Sequence, residues 1–488
     1  MEDFEISEID IKQRPSSVLP RSIKVGPEVA TTPLPQGKQS AAVQEKWNGF
    51  VESSTLHGLQ HVFGGRTLAR RVIWALFLLL GIGWFSLQTQ KLLTKYFSYP
   101  VTTKVTLVYE DNPEFPAVSI CNFNMFRRSV VREAGYEKIL NYVLRKSSGI
   151  DVSGETINWE LYESINLTEF HFAMGHQIYN TLHQCYWDGG LCTYENFTPV
   201  LTSMGLCYTF NSGKDGQPIL RVRQAGSDFA LHLMLDVQQW DYGALGSRAG
   251  LMVFIHDHET PPLVAQLGFA VGPGTSTFAA INKQKTISLP DPYESNCLDK
   301  NDSKVPGYKT YTILGCLLMC QTKYIIEKCG CRDVGMPAIN DTRMCKALDL
   351  SDCVLREKGN FRKLKDQQCE CPVPCSTTSF RPILSYAAFP SDEYIKQSHE
   401  LYEIYGSNTS EASLDFIQGY MSQNMLELVI YFEELSYHVI EQTPAYDSES
   451  LFAEIGGQVG LCVGASLLTV LEFCDVIIAI IGIRFGFR

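Results

Sequence analysis

Two carboxylates, Glu472 and Asp475, interrupt an otherwise uncharged apolar run at 455–483 in this chain of 488 residues. Each costs roughly 2.5–3.5 kcal/mol at the centre of a bilayer unless it lines an aqueous path. Repeated around a symmetric oligomer, they would form rings of negative charge that draw cations. Just ahead stand Gly464, Ala465 and Ser466, preceded by Gly456, Gly457 and Gly460. A continuous helix of this length would reach about 43 Å, beyond a hydrocarbon core of about 30 Å, so the segment must tilt or break. A break at the small residues frees carbonyls, which are tolerated only against water or protein. The plainer reading is a helix pair packed through small residues. Small residues followed by buried carboxylates favour a water-lined path.

Other titratable groups lie upstream. His438 stands in MLELVIYFEELSYHVIEQ, and His256-Asp257-His258-Glu259 forms an acid- and histidine-rich loop. Histidine titrates at about 6.5 when unperturbed, so each could register acidification, or each could be an ordinary surface histidine. Arg356, Lys358, Arg362, Lys363 and Lys365 make 354–368 basic. Such a run can receive an acidic or peptide ligand, or simply face solvent.

Of 16 cysteines, Cys462 and Cys474 fall in the second apolar run, and the other fourteen lie upstream of it. An even number in one segment reads as disulfides in an oxidising compartment. The CxC spacings within 316–375 lack the CxxC knuckles and histidine support usual for zinc, so no metal is expected. Five glycosylation sequons, at Asn166, Asn196, Asn301, Asn340 and Asn408, share the same segment.

These features fix a topology. The uncharged run 72–90 is long enough to span a bilayer, and 455–483 is the second candidate span. Sequons place the intervening segment outside the cell and both termini in the cytoplasm of a plasma-membrane protein. Arg484 and Arg488 after the second span agree, whereas the first span is basic on both sides. Residues 1–71 carry no secretory signal, so the first span is expected to act as its own signal-anchor. The expected divisions are 1–71, 72–91, 92–450, 451–483 and 484–488. With 41 basic against 53 acidic residues and a net charge of -12, the chain has no basic excess for nucleic acid. No nucleophile–base pair or Gly-rich phosphate loop suggests an enzyme.

The elements around these groups are readable in outline. Residues 1–50 look disordered. Segments 102–109 and 117–120 read as strands, 127–185 as largely helical, and 207–289 as strands. Residues 311–330 form a helix with Cys316 and Cys320 on one face. The stretch 425–442 reads as a long strand. The fold class is a two-pass α-helical membrane protein with a large disulfide-rich α+β ectodomain.

The run 456–472, GGQVGLCVGASLLTVLE, resembles the pore segment of the degenerin/epithelial sodium channel superfamily. FPAVSICNFNMF at 115–126, CYTFNSGKDGQP at 207–218, PPLVAQLGF at 261–269 and His57-Gly58 bring the chain nearest its acid-sensing ion channel branch. The resemblance covers roughly 53–483. It implies a homotrimer, or an assembly with related subunits, with a β palm core and helical finger and thumb. Sodium would be the permeant ion, with no cofactor, and amiloride a pore blocker. Gly464, Ala465 and Ser466 would form the selectivity belt, His57-Gly58 a re-entrant loop below it, and Tyr99 with Tyr293 a contact at the wrist. The implied disulfides are Cys121–Cys207, Cys185–Cys192, Cys297–Cys375, Cys316–Cys371, Cys320–Cys369, Cys329–Cys353 and Cys331–Cys345.

The match fails where that branch senses protons. Crowded carboxylates between finger and thumb would have raised pKa values and release repulsion on protonation. Here the finger side reads WDYGALGSRAG, with Asp241 its one acid, and the thumb side is net basic. Val101 and Gln217 replace a histidine and a lysine, and Leu317 and Gln321 replace the chloride ligands that the resemblance implies. His438 falls where a carboxylate is usual. Protons, an extracellular peptide or no agonist at all stay open, as does a non-conducting regulatory subunit.

Overall fold

The computed structural model describes residues 36–64, 67–147, 149–152, 154, 156–163, 165–214, 216–243, 247–298, 304–397 and 414–485. Contacts divide the chain into two compact units, Tyr99–Tyr446 and the two ends, Met1–Ser98 with Asp447–Arg488. The divisions expected from sequence, at 92 and 450, fall inside helices rather than at these bounds. The first apolar helix runs on to Phe97, past the uncharged core of the span.

The middle unit rests on two sheets. The larger runs β11 (Ser376–Ala388), β10 (Thr275–Ile287), β12 (Met425–Pro444), β7 (Leu231–Asp236), β3 (Leu182–Trp187) and β4 (Gly190–Leu191). β1 (Val101–Tyr109) also pairs with β12. The smaller runs β5 (Phe197–Thr202), β6 (Gly205–Phe210), β2 (Ala117–Asn122), β8 (Leu251–His256) and β9 (Phe269–Val271). Strand periodicity sends every second residue to one face. Leu231, Leu233 and Leu235 on β7 and Leu426, Leu428 and Ile430 on β12 are accordingly fully buried in one core. β12 holds three partners: β7 along Met425–Ile430, β1 along Ser436–Pro444, and β10 in parallel on its other edge.

The helical annex has two parts. Finger helices Arg128–Glu133, Glu137–Ser147 and Leu167–Met174 occupy much of the stretch read as helical, and β3 then begins within that stretch, at Leu182. The thumb is led by Ile313–Cys329, capped at its start by the Thr312 hydroxyl, which accepts from Gly315 N–H at 3.0 Å. It stops at Gly330, in the left-handed region at φ 66. A π-helical turn, Leu350–Val354, leads into the second thumb helix, Leu355–Gln368. Seven disulfides join Cys121–Cys207, Cys185–Cys192, Cys297–Cys375, Cys316–Cys371, Cys320–Cys369, Cys329–Cys353 and Cys331–Cys345. These are the pairs that the resemblance implied. Cys316 and Cys320, one turn apart, make two nested rungs to Cys371 and Cys369.

The unit of the two ends holds helices Gln36–Ser53, Leu59–Phe63, Leu68–Phe97, Ser448–Val463 and Leu467–Phe485. Gln36–Ser53 corrects the expectation of disorder for residues 36–50; residues 1–35 lie outside the described residues. Trp47, Phe50 and Val51 of that helix pack with Phe473 and Val476, partners that no local pattern announces. Leu68–Phe97 is long and apolar enough to cross a membrane, and the last two helices pass the same test only as a bent pair.

Candidate functional site

The second apolar run breaks where its small residues are. Helix Ser448–Val463 ends at Gly464, whose φ of 70 is a left-handed conformation that a Cβ disfavours. Ala465 and Ser466 are not helical, and the next helix leaves at 73° to the first. Ser466 restarts it, its N–H donating to Thr469 Oγ1 at 3.0 Å while the Thr469 N–H lies 3.4 Å from Ser466 Oγ. A helix end leaves carbonyls without internal partners. One of them, Val463 O, accepts from His57 N–H at 3.2 Å. The His57 imidazole lies so close over Gly464 that a Cβ there would overlap the ring. Gly58, at φ 88, turns the chain into Leu59–Phe63. The His-Gly motif and the small-residue belt therefore form one local structure.

Glu472, one turn beyond Thr469, is the carboxylate in contact with that loop. Thr55 N–H donates to Glu472 Oε2 at 3.2 Å, and the Thr55 hydroxyl sits 3.3 Å from the same oxygen and 2.6 Å from Thr469 Oγ1. Thr55 and Thr469 escaped the reading of the sequence. A threonine two residues before His-Gly carries no local signal, since its partner lies 417 positions away. Asp475 is exposed. Gly81 of Leu68–Phe97 lies against the carbonyl of Cys462, a close approach of the kind small residues permit.

In the middle unit the candidate sensors differ sharply. His256 is buried, its Nε2 2.8 Å from Ser119 Oγ and its Nδ1 2.9 Å from the Asp257 carbonyl. Burial lowers its pKa to about 4. His258 lies 3.1 Å from Asn211 Nδ2, and burial again lowers its pKa. His438 is exposed on β12, in register with Leu107 of β1 and Gln284 of β10. Tyr99, at φ 46, meets Tyr293 edge to face with ring centroids 5.6 Å apart. Sequon residues Asn166, Asn196 and Asn340 are exposed; Asn301 and Asn408 lie outside the described residues. Among the described residues no cluster of His, Cys, Asp and Glu could hold a metal.

The basic thumb stretch is less uniform than its sequence. Lys358 forms an ion pair with Asp333, and Arg356 pairs with Glu357 at 3.0 Å. Asp241, the one acid of the finger-side loop, accepts from Ser129 N–H and hydroxyl at 2.6 and 2.7 Å.

Residues 50–476 match the family model described as amiloride-sensitive sodium channel. The chain belongs to that family. The chain is 35% identical to acid-sensing ion channel 1 of Gallus gallus over 450 residues, covering 87% of this chain and 82% of the relative. It is 34% identical to acid-sensing ion channel 2 of Homo sapiens over 455 residues, covering 88% and 86%. A match to the cryo-EM structure of a proton-activated chloride channel has a TM-score of 0.32 at 8% identity, covering 86% of this chain and 98% of that one. That last likeness carries no argument. Family membership makes this protein one of a group of sodium channels, with a disulfide-rich, β-rich middle unit, and channels are not enzymes.

Proposed function

We propose that this chain is the subunit of a homotrimeric, sodium-selective channel of the plasma membrane, opened by an extracellular ligand and blocked by amiloride. Both termini lie in the cytoplasm, and the two apolar segments cross the bilayer. Gly464, Ala465 and Ser466 form the selectivity belt, with the His57-Gly58 loop seated beneath it. Glu472 and Asp475 supply the negative charge that attracts cations. The observation that carries this reading is the break at 464–466, closed on one side by the hydrogen bond from His57 N–H to Val463 O.

Protons are the agonist to test first, and His438 is the residue assigned to sensing them. It is exposed, whereas a pKa of about 4 holds His256 neutral throughout mild acidification. The direct test is whole-cell current from the expressed chain on stepping external pH from about 7.4 to about 5, with and without amiloride. Amiloride-blocked inward sodium current is expected, together with a reversal potential that moves away from the sodium value in Glu472→Gln. Identical reversal potentials in wild type and Glu472→Gln would remove the pore assignment and leave a non-conducting regulatory subunit.

A further inference from the structure

Between finger and thumb helices this chain has an apolar chamber. Its volume is about 230 Å³, and its walls include Leu140 and Val143 from Glu137–Ser147, Phe170 from Leu167–Met174, and Leu350 and Leu355 from the thumb. Protein interiors pack with few voids larger than a water molecule, and pockets lined by apolar groups with a few polar ones are the usual form of small-ligand sites. The π-helical turn Leu350–Val354 borders this chamber, and such turns occur often at functional sites.

A further cavity adjoins the chamber. Thr202, Ser203, Val334 and Lys358 also line a second cavity, of about 340 Å³, which reaches to Arg332 and Gln321. The seam between the two is made of main chain: a Cβ at Gly335, where φ is 80, would lie within 2.5–2.8 Å of backbone atoms of Thr202 and Ser203. Two cations stand by this seam. Lys358 directs one N–H to Asp333, and among the described residues its other two donors have no partner. Arg332 donates through one terminal nitrogen to the Met336 carbonyl at 3.2 Å, while its buried Nε has no partner among the described residues. The two cations and Asp333 together leave one positive charge. His171 at the edge of the apolar chamber spends Nδ1 on the Leu167 carbonyl at 2.8 Å.

We propose that this two-chambered cleft binds an amphipathic carboxylate, its apolar chain in the finger chamber and its head at Lys358 and Arg332. The occupant follows from the lining. An uncharged hydrocarbon would leave the spare donors unmet. A cation would be repelled by the net charge of the seam, and a purely polar anion would gain nothing from the apolar walls. This site is independent of the pore reading, since it lies wholly within Tyr99–Tyr446.

The test is photolabelling of the full-length chain in lipid nanodiscs with dodecanoate carrying a diazirine at its methyl end, followed by mapping of labelled peptides. Label is expected on the peptides bearing Val143 and Phe170, competed by dodecanoate but not by dodecanol. Lys358→Gln should weaken competition about tenfold, as expected for loss of a charge-assisted hydrogen bond. Lys358→Arg should restore it. Val143→Trp, which fills the chamber and leaves the cations in place, should abolish the label while thermal melting confirms that the variant is folded. Label confined to 68–97 and 448–485 would mean partition into membrane and would overturn the proposal. Equal competition by dodecanol, or undiminished label in Val143→Trp, would overturn it too.

Discussion

Two helices of this chain stop in the same way and serve different ends. Ile313–Cys329 and Ser448–Val463 each begin at a side-chain cap, Thr312 in one and Asp447 in the other. Each ends at a left-handed glycine, Gly330 at φ 66 and Gly464 at φ 70. On either side of Gly330 the chain is fastened by covalent bonds, with Cys329 joined to Cys353 and Cys331 to Cys345. Beyond Gly464 there is no covalent fastening. The break is held by a hydrogen bond from His57 and by the self-capping of Ser466 and Thr469. One stop signal thus yields a rigid corner in the thumb and a weakly fastened break in an apolar run. Surroundings, rather than the cap, decide which.

The largest expected effect separates the two glycines directly. Gly464→Ala places a Cβ into the His57 ring, and current should fall to background while the protein still reaches the cell surface, measured by surface biotinylation. Retained current with unaltered selectivity would show that the His57 contact is dispensable. Removing one thumb rung with Cys320→Ser and Cys369→Ser should cost about 2 kcal/mol, because Cys316–Cys371 still closes nearly the same loop. Denaturant unfolding of the purified full chain, followed by tryptophan fluorescence, would read that loss.

The next test concerns pH. His256 is held neutral, so the folded state resists its protonation. Its folded pKa of about 4 lies below the unfolded value of about 6.5, so the unfolded chain binds the extra proton between them. Stability is therefore intact above pH of about 6.5 and falls by up to roughly 3 kcal/mol as pH drops toward 4. His256→Gln should flatten that slope in melts taken across the range. The smallest effect belongs to the thumb glycine. A Cβ at Gly330 meets nothing within 4 Å, so Gly330→Ala should cost only the left-handed backbone penalty, about 1–2 kcal/mol, with current unaffected.

Much of this was legible in sequence for local reasons. The break at 464–466 followed from small residues within too long an apolar run. The helix carrying Cys316 and Cys320 followed from their spacing, and β12 from its alternation. The disulfide partners came only from resemblance, since spacing alone leaves too many pairings. What stayed hidden depended on distant partners. Gln36–Ser53 looked featureless because Phe50 meets Phe473, at a ring separation of 4.7 Å, only after folding. Thr55 at Glu472 was silent for the same reason. Lys358 read as one of five cations of a basic run, with no sign that Asp333, 25 positions away, would pair with it.

Gly335 has a further consequence. Because it presses main chain against main chain at Thr202 and Ser203, the width of that seam is set by atoms common to every amino acid. Substitutions around it can enlarge, shrink or recharge the spaces on either side without altering the main-chain contact itself. The chain can drift in what it accommodates while inheriting an unchanged contact, provided one position never gains a side chain.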